Sequence, residues 1–293
     1  KLINAQERVA RKIAREIKGF NNVYLELCNE PYFGNGPKLG DAWNDRMVEA
    51  IRSVTDEHMI ALNVANEWKK VDKVPDAISL LNFHYCRPPK VVDMNYRLGC
   101  PIGYDESGFK GPDADNYRRY AWNFMMAGGA VFSNLDYSFT VDSPQGQSQA
   151  ANPDRGCRNP SIRPQLHVLK DFMESFNFIE MRPMDDIVRG GIPEKATVQV
   201  LAEEGRQYAL YIKGGTEVSP VMKLPEGTYS VEWVTPRTGE TVKKRTLGHD
   251  GGTATLQGPF RLPHVPGGRS LRRRAVPNAA WGGDNAGNFR KTP

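Results

Sequence analysis

Acidic and polar side chains stand at the ends of five apolar runs within the first 140 residues: Asn29-Glu30, Asn66-Glu67, His84-Tyr85, Asp105-Glu106 and Asp136-Tyr137. A carboxylate at the tip of a buried strand is costly unless water, a partner or a substrate meets it there. Such residues at strand ends are typical of the catalytic mouth of a (β/α)8 barrel, and also of the ligand-binding edge of a doubly wound sheet. No glycine-rich phosphate loop follows any run, which disfavours nucleotide binding.

The segments that connect these runs have helical periodicity. Helices are predicted at residues 6–18, from Asp41 onward, at 116–127 and after Pro164, and strands at 21–33, 59–64, 77–85, 100–106 and 130–139. The first helix carries an apolar stripe of Val9, Ile13 and Ile17. Because the strands are nearly continuous in apolar residues, they predict an α/β fold with a parallel sheet that is covered on both faces.

The sequence pattern changes after residue 183. Short alternating strands are predicted at "ATVQVLAE", "QYALYIKG", "GTYSVEWVTP" and "GETVKKRTL", separated by turns rich in glycine and proline. They indicate a small antiparallel β domain at residues 184–260, after an α/β domain at 1–183. Periodicity then disappears while Gly, Pro and Arg increase, so residues 261–293 are predicted to be a disordered tail.

Charge and composition exclude several function classes. The net charge of the 293 residues is +5, but residues 261–293 alone carry +6, so the folded part is nearly neutral and a nucleic-acid partner is not expected. No apolar run is long enough to span a membrane. The four cysteines (Cys28, Cys86, Cys100 and Cys157) have neither zinc-binding spacing nor the pattern of a disulfide framework, and they are predicted to be buried free thiols.

Strand alternation assigns faces to the first run. Tyr24, Glu26 and Glu30 share one face, which points into the interior if the sheet is a barrel. Glu26 would lie roughly 13 Å below Glu30, so it is expected to be the buried partner of an inward base rather than a substrate contact. The same alternation predicts that Asp105 and Glu106 point to opposite faces.

Two motifs carry a resemblance to a known group of enzymes. "LELCNEP" (25–31) resembles the strand-4 signature of the retaining (β/α)8 glycoside hydrolase clan, and "PIGYDESGF" (101–109) resembles its strand-7 segment. "LNVAN", "LLNFHY" and "GAVFSNLDYSF" stand where strands 5, 6 and 8 belong, and the likeness is greatest to cellulase-like members. The resemblance therefore implies strands 4–8 of a TIM barrel, followed by a small antiparallel β-sandwich.

The resemblance also implies roles for individual residues. Glu30 would be the general acid/base, Glu106 the nucleophile, and Asn29 a donor to the sugar 2-hydroxyl. The further residues expected to contact a carbohydrate substrate are His84, Tyr85, Tyr32 and Asp136. The clan uses two carboxyl groups and no metal or other cofactor, and the implied location is secreted, periplasmic or on a bacterial cell surface.

The sequence departs from the clan's pattern in two respects. Many members place a sugar-stacking tryptophan on strand 8, where this chain has Asp136 and Tyr137. Barrel strands 1–3 would precede Lys1, so we expect the chain to be a fragment of a longer enzyme. A catalytically inactive carbohydrate-binding or adhesion protein is therefore the alternative interpretation.

The C-terminal segment carries a second resemblance. "GTYSVEWVTPRTGE" (227–240) resembles the small β-sandwich, named for collagen binding, that is appended to many bacterial glycosidases. Tyr229 and Trp233 share one strand face and are expected to be core residues. Collagen binding is not inferred from this likeness.

Overall fold

The computed structural model describes residues 1–33, 39–148, 159–215, 218–259 and 284–292. The chain forms two compact units. The first unit contains residues 1–120 and 129–160, and the second contains residues 121–128 and 161–293.

The first unit is built on a parallel sheet. Its strands are β1 (Leu25–Glu26), β2 (Ile60–Asn66), β3 (Leu80–His84), β4 (Ile102–Ser107) and β5 (Val131–Asn134). They pair in chain order, and every described pairing is parallel. A doubly wound sheet reverses its strand order at a switch point, whereas a barrel does not, so this order is that of part of a (β/α)8 barrel. The predicted α/β class with a parallel sheet is confirmed.

Helix α1 (Leu2–Ile17) precedes β1, and α2 (Asp41–Arg52) connects β1 to β2. Helix α3 (Lys90–Asn95) and a 3-10 turn, Tyr96–Leu98, connect β3 to β4, and α4 (Ala114–Met126) connects β4 to β5. The stripe on α1 is not fully covered, since Val9 and Ile13 remain 57% and 45% exposed and line a cavity of about 390 Å³ with Leu25 and Met47. Among the described residues, no helix is both long and apolar enough to cross a bilayer.

Strand β4 contains an irregularity that alters its side-chain directions. Asn82 and His84 of β3 pair with Gly103 and Glu106, so two steps along β3 face three steps along β4. A β-bulge of this kind inserts one extra residue and interrupts the alternation of side chains. The regular alternation predicted for Asp105 and Glu106 is therefore absent.

The second unit combines helix α5 (Ile162–Glu174) with two antiparallel sheets. Its strands are β6 (Arg182–Pro183), β7 (Val188–Gly190), β8 (Thr197–Glu203), β9 (Gln207–Lys213), β10 (Val221–Leu224), β11 (Gly227–Val234), β12 (Thr241–His249), β13 (Gly252–Thr255) and β14 (Asp284–Lys291). One sheet has the order β12-β11-β14-β9-β8-β6 and the other β13-β10-β7. The four strands predicted here from alternation appear as β8, β9, β11 and β12.

The two sheets share one hydrophobic cluster. Tyr229 and Trp233 are both buried in it, as their shared strand face predicts. Part of α4 also belongs to this unit, because Trp122 packs against Phe172 of α5 and stacks on Tyr211 of β9. The second unit therefore includes residues that precede residue 183, where the sequence pattern changes.

The prediction of a disordered tail is wrong for residues 284–291. They form β14, which lies between β9 and β11 and pairs antiparallel with both. Phe289 of this strand is fully buried and contacts Trp233 edge to face, with ring centroids 6.0 Å apart. Residues 260–283 and Pro293 lie outside the described residues.

The prediction that the cysteines are buried free thiols is only partly confirmed. Cys28, Cys86 and Cys100 are free thiols, but only Cys86 is buried, and the other two are partly exposed. Cys157 lies outside the described residues.

Candidate active site

Four successive strands of the parallel sheet are followed by non-glycine residues in left-handed backbone conformation. These are Glu30 (φ 45°), Glu67 (φ 64°), Tyr85 (φ 50°) and Phe109 (φ 57°), which follow β1, β2, β3 and β4. Side chains other than glycine rarely adopt this conformation, which costs on the order of 1–3 kcal/mol per residue. Such residues cluster at functional sites, so the carboxyl edge of the sheet is the candidate active site.

His84 is the centre of this edge. It ends β3 and is only 1% exposed. Its Nδ1 lies 3.2 Å from Oε1 of Glu30 and 3.1 Å from Oε2 of Glu106. The predicted pair of glutamates therefore meets around a single buried imidazole, although the two residues are far apart in sequence.

The separation of Glu30 and Glu106 determines what chemistry they can perform. Carboxylate oxygens of the two residues lie within 4.8 Å of each other. Retaining glycosidases hold their carboxyl groups about 5–5.5 Å apart, whereas inverting enzymes leave about 6.5–9.5 Å for a water molecule. The Tyr85 hydroxyl donates a hydrogen bond to Oε1 of Glu106, and the Phe109 ring contacts Tyr85 edge to face at 5.1 Å.

A second layer of polar side chains lies on the other side of His84. Nε2 of His84 is 3.2 Å from Oδ1 of Asp105 and 2.5 Å from Nδ2 of Asn63. Asp105 and Glu106 thus both approach the same imidazole, and the prediction that they face opposite ways is wrong. The cause is the β-bulge in β4.

Glu26 belongs to this lower layer, and amides are its hydrogen-bond donors. Its carboxylate accepts hydrogen bonds from Nδ2 of Asn63, at 3.3 Å, and from Nδ2 of Asn82, at 2.5 Å. The inward base His84 also faces Glu26, with ligand atoms of the two residues within 4.8 Å of each other, while two amides supply the hydrogen bonds to the carboxylate oxygens. Asn63 and Asn82 are polar residues inside apolar strand runs, and this was the available signal for a buried polar network.

The local electrostatics follow from these contacts. Burial lowers the pKa of His84, but contacts with Asp105, Glu106 and Glu30 outweigh it, so the pKa is raised above the ordinary histidine value. For Asp105 burial acts upward, but contacts with His84, Asn82 and Tyr24 lower the pKa overall. Burial is also the main reason why the pKa of Glu26 is raised.

The tyrosines of the site have raised pKa values. Burial and the neighbouring Asp105 raise the pKa of Tyr24 to about 12. Burial and the hydrogen bond to Glu106 raise the pKa of Tyr85 far above its ordinary value. Both hydroxyls therefore keep their protons and act as hydrogen-bond donors at neutral pH.

The remaining predicted contacts are less closely connected to the glutamate pair. Tyr32 is half-buried, and its hydroxyl donates to Oδ1 of Asn66 at 2.7 Å. Asn29 is exposed, and its backbone carbonyl accepts from the Cys28 thiol. The Asp136 carboxylate accepts from the backbone and hydroxyl groups of Ser138 in its own loop.

Solved structures with a similar fold are glycoside hydrolases. One, a glycoside hydrolase, matches with a TM-score of 0.64 and 13% identity over 99% of this chain and 69% of its own. A family 5 glycoside hydrolase from Bacteroides vulgatus ATCC 8482 matches with a TM-score of 0.65 and 14% identity, over 99% of this chain and 66% of its own. A family 30 subfamily 8 xylanase from Clostridium acetobutylicum matches with a TM-score of 0.52 and 10% identity, over 99% of this chain and 72% of its own. The chain shares the fold of these proteins.

At these identities the likeness establishes the fold alone. The chain spans about two thirds of the length of these glycoside hydrolases. The sequence matches no protein-family model and no curated protein.

Two groups of side chains at the carboxyl edge of the parallel sheet have the composition of a metal site. They are Glu26, His84 and Asp105, and Glu30, His84 and Glu106, and within each group the ligand atoms lie within 4.8 Å of one another. His84 belongs to both groups, and each of its nitrogens already lies at hydrogen-bond distance from a carboxylate. A cation at either place would have to displace one of these contacts.

The lowered pKa of Asp105 predicts how stability changes with pH. In an unfolded chain an Asp pKa is about 3.9, so the stabilising contribution of Asp105 is present above about pH 4 and is lost as the pH falls through its lower folded-state pKa. We expect Asp105→Asn to lower the free energy of unfolding by about 1–3 kcal/mol at pH 7 and by much less near pH 3. Urea unfolding at a series of pH values measures both curves.

The control for this experiment is Asp76→Asn. The Asp76 side chain is 95% exposed, so its replacement should change the free energy of unfolding little at any pH. A difference between wild type and Asp105→Asn that stays constant from pH 3 to pH 7 would contradict the assignment.

Proposed function

We propose that the protein is a retaining glycoside hydrolase that cleaves O-glycosidic bonds of a polysaccharide or oligosaccharide. The observation that carries this proposal is the separation of at most 4.8 Å between carboxylate oxygens of Glu30 and Glu106 at the carboxyl edge of the sheet. That spacing suits an enzyme in which one carboxylate attacks the sugar directly, and it is shorter than the separation of about 6.5–9.5 Å between the carboxyl groups of inverting enzymes. The shared fold is consistent with this chemistry but does not establish it.

Each glutamate has a defined task in the first step. Glu106 attacks the anomeric carbon with a carboxylate electron pair, and the bond from that carbon to the glycosidic oxygen breaks. Glu30 gives its proton to the departing oxygen, so the leaving group departs as a neutral alcohol. The product of this step is a glycosyl ester on Glu106, with Glu30 ionised.

The second step reverses these roles. Glu30 takes a proton from water, and the water oxygen forms a bond to the anomeric carbon while the ester bond to Glu106 breaks. The sugar is released with its original anomeric configuration because two inversions have occurred. Both glutamates then have the protonation states in which they began.

Neighbouring side chains hold the pair in place. The Tyr85 hydroxyl donates to Glu106, and Nδ1 of His84 lies between the two carboxylates. Donors aimed at Glu106 stabilise its charged form and fix the oxygen that attacks. We include Asn29, Tyr32 and Asp136 in the proposal as residues that line the sugar site.

The proposal has two further parts. The antiparallel sheets of the second unit would be the β-sandwich appended to bacterial glycosidases, and their shared hydrophobic cluster supports this. Because polysaccharides are encountered outside the cell, the proposed location is secreted, periplasmic or on the cell surface.

Covalent trapping tests the function directly. A 2-fluoro glycoside with an activated leaving group slows the hydrolysis of the glycosyl ester and should accumulate as an adduct. We expect the intact mass to increase by one fluoroglycosyl group, and peptide mass spectrometry should locate that group on Glu106. Folded protein that binds oligosaccharides but forms no adduct with a panel of 2-fluoro glycosides would instead support the non-catalytic carbohydrate-binding alternative.

A further inference from the structure

Asn63 is a buried amide in contact with the imidazole at the centre of the site. It lies in the middle of β2 and is only 2% exposed. Its Nδ2 is 2.5 Å from Nε2 of His84 and 3.3 Å from Oε1 of Glu26. Its Oδ1 is buried and has no hydrogen-bond partner among the described residues. A strand-interior amide that leaves its own oxygen unpaired requires a reason.

The two nitrogens of His84 have different surroundings. Nδ1 lies within 3.2 Å of carboxylate oxygens of both Glu30 and Glu106, so it carries a proton that it can donate to them. Nε2 meets the N–H of the Asn63 amide. An amide nitrogen can only donate, so the contact is favourable when Nε2 offers a lone pair and repulsive when Nε2 is protonated.

The carboxylates around the ring favour a second proton. Glu26, Glu30, Asp105 and Glu106 all face His84, and Oδ1 of Asp105 lies 3.2 Å from Nε2. This oxygen would accept a proton carried by Nε2, and contact with it is one of the causes that raise the pKa of His84. The amide of Asn63 therefore opposes the effect of the carboxylates.

We propose that Asn63 is a positioning residue, which keeps the proton of His84 on Nδ1 by occupying the lone pair of Nε2 with an amide N–H. The unpaired Oδ1 of Asn63 is the cost of this arrangement. The contact is local to β2 and β3, and its existence does not depend on which reaction the site performs.

The catalytic consequence rests on the proposed function. Above its raised pKa, a neutral His84 with its proton on Nδ1 donates one hydrogen bond to the glutamate pair. An imidazolium at the same place would put a full positive charge 3.2 Å from Glu30, which must hold a proton to act as the acid. By opposing the second proton on His84, Asn63 thus helps Glu30 to keep the proton that leaves with the aglycone.

Nitrogen NMR of the wild-type chain tests the proposal without any substrate. In protein labelled with ¹⁵N-histidine, the resonances that disappear in His84→Gln identify His84. Above the pKa of His84, we expect Nδ1 to have the shift of a protonated nitrogen and Nε2 that of an unprotonated one. The opposite tautomer in the wild type would overturn the proposal, whether or not the protein hydrolyses glycosides.

Two variants of Asn63 test the direction in which its amide shifts the pKa of His84. Asn63→Leu removes the N–H from Nε2, and Asn63→Asp replaces it with an acceptor. Since a hydrogen bond to the neutral form disfavours the charged form, we expect the pKa of His84 to rise by about one unit in Asn63→Leu and further in Asn63→Asp. An unchanged or lowered pKa in Asn63→Leu would show that the amide does not donate to Nε2.

Asn82→Leu is the matched control. Asn82 is equally buried in the neighbouring strand and also donates to Glu26, but it has no hydrogen bond to His84 among those described. It should leave His84 in the Nδ1–H tautomer. If Asn63→Leu does not fold, the wild-type tautomer alone decides the question. Loss of activity together with the expected tautomer in the wild type would count against the proposed function and not against the role of Asn63.

Discussion

Glu30→Gln should reduce kcat/KM by about 10²–10⁴-fold on a glycoside with an alcohol leaving group, and far less on the corresponding dinitrophenyl glycoside. A glutamine keeps the shape of the side chain but cannot give a proton to the departing oxygen. Dinitrophenolate leaves without protonation, so its departure does not need Glu30. Steady-state kinetics on the two substrates measure the difference.

Glu106→Gln should behave differently from Glu30→Gln. Because no glycosyl ester can form without the carboxylate, both substrates should lose activity together, by about 10⁴-fold or more. Glu67→Gln is the matched control, since Glu67 also follows a strand in left-handed conformation but pairs with Arg87 at the surface. It should stay within about threefold of wild type, since exposed ion pairs contribute little.

These variants also distinguish the two assignments from each other. Equal losses on both substrates in Glu30→Gln would remove Glu30 from the role of acid. Appreciable activity of Glu106→Gln on the dinitrophenyl substrate would remove Glu106 from the role of nucleophile. Neither substitution should disrupt the fold, because the side chains of both residues lie at the edge of the sheet rather than in its core.

Phe289→Ala should lower the free energy of unfolding of the second unit by about 3–5 kcal/mol, the usual cost of removing a fully buried phenylalanine. Phe289 belongs to the shared hydrophobic cluster and contacts Trp233. Its strand pairs with both β9 and β11, so the cavity left by the missing ring would open in the cluster beside a central strand of the sheet. Urea unfolding monitored by tryptophan fluorescence measures the loss.

Asn288→Ala is the control from the same strand. Asn288 is only partly buried and precedes Phe289 on the alternate face, so its replacement should cost less than about 1 kcal/mol. A Phe289→Ala variant as stable as Asn288→Ala would mean that β14 does not occupy the centre of the sheet.

Much of the candidate site could be predicted from sequence because apolar strands and polar strand ends are local signals. Runs of apolar residues located β2, β3 and β4, and the residues that follow them meet at one edge in the structure. The position of Asp105 could not be predicted in this way. A β-bulge depends on how two strands pair, and regular alternation along one strand does not contain that information.

The last strand was missed for a different reason. "DNAGNFRK" contains one large apolar residue, Phe289, among small and polar ones, so its sequence resembles a loop. In the structure Ala286 and Gly287 are nevertheless buried, because small residues suffice where neighbouring strands supply the bulky side chains. Apart from the Phe289 side chain, β14 contributes mainly its backbone hydrogen bonds, which any sequence without proline can make.

The central place of β14 has a consequence for the order in which the protein is made. Strands β9 and β11 leave the ribosome well before Asp284–Lys291, the segment that pairs with both of them. Because the ribosome adds about 5–20 residues per second, that segment is completed several seconds after the two strands. During this interval both have an unpaired edge that can join to another nascent chain. Synthesis of the second unit is therefore the stage at which a chaperone should bind.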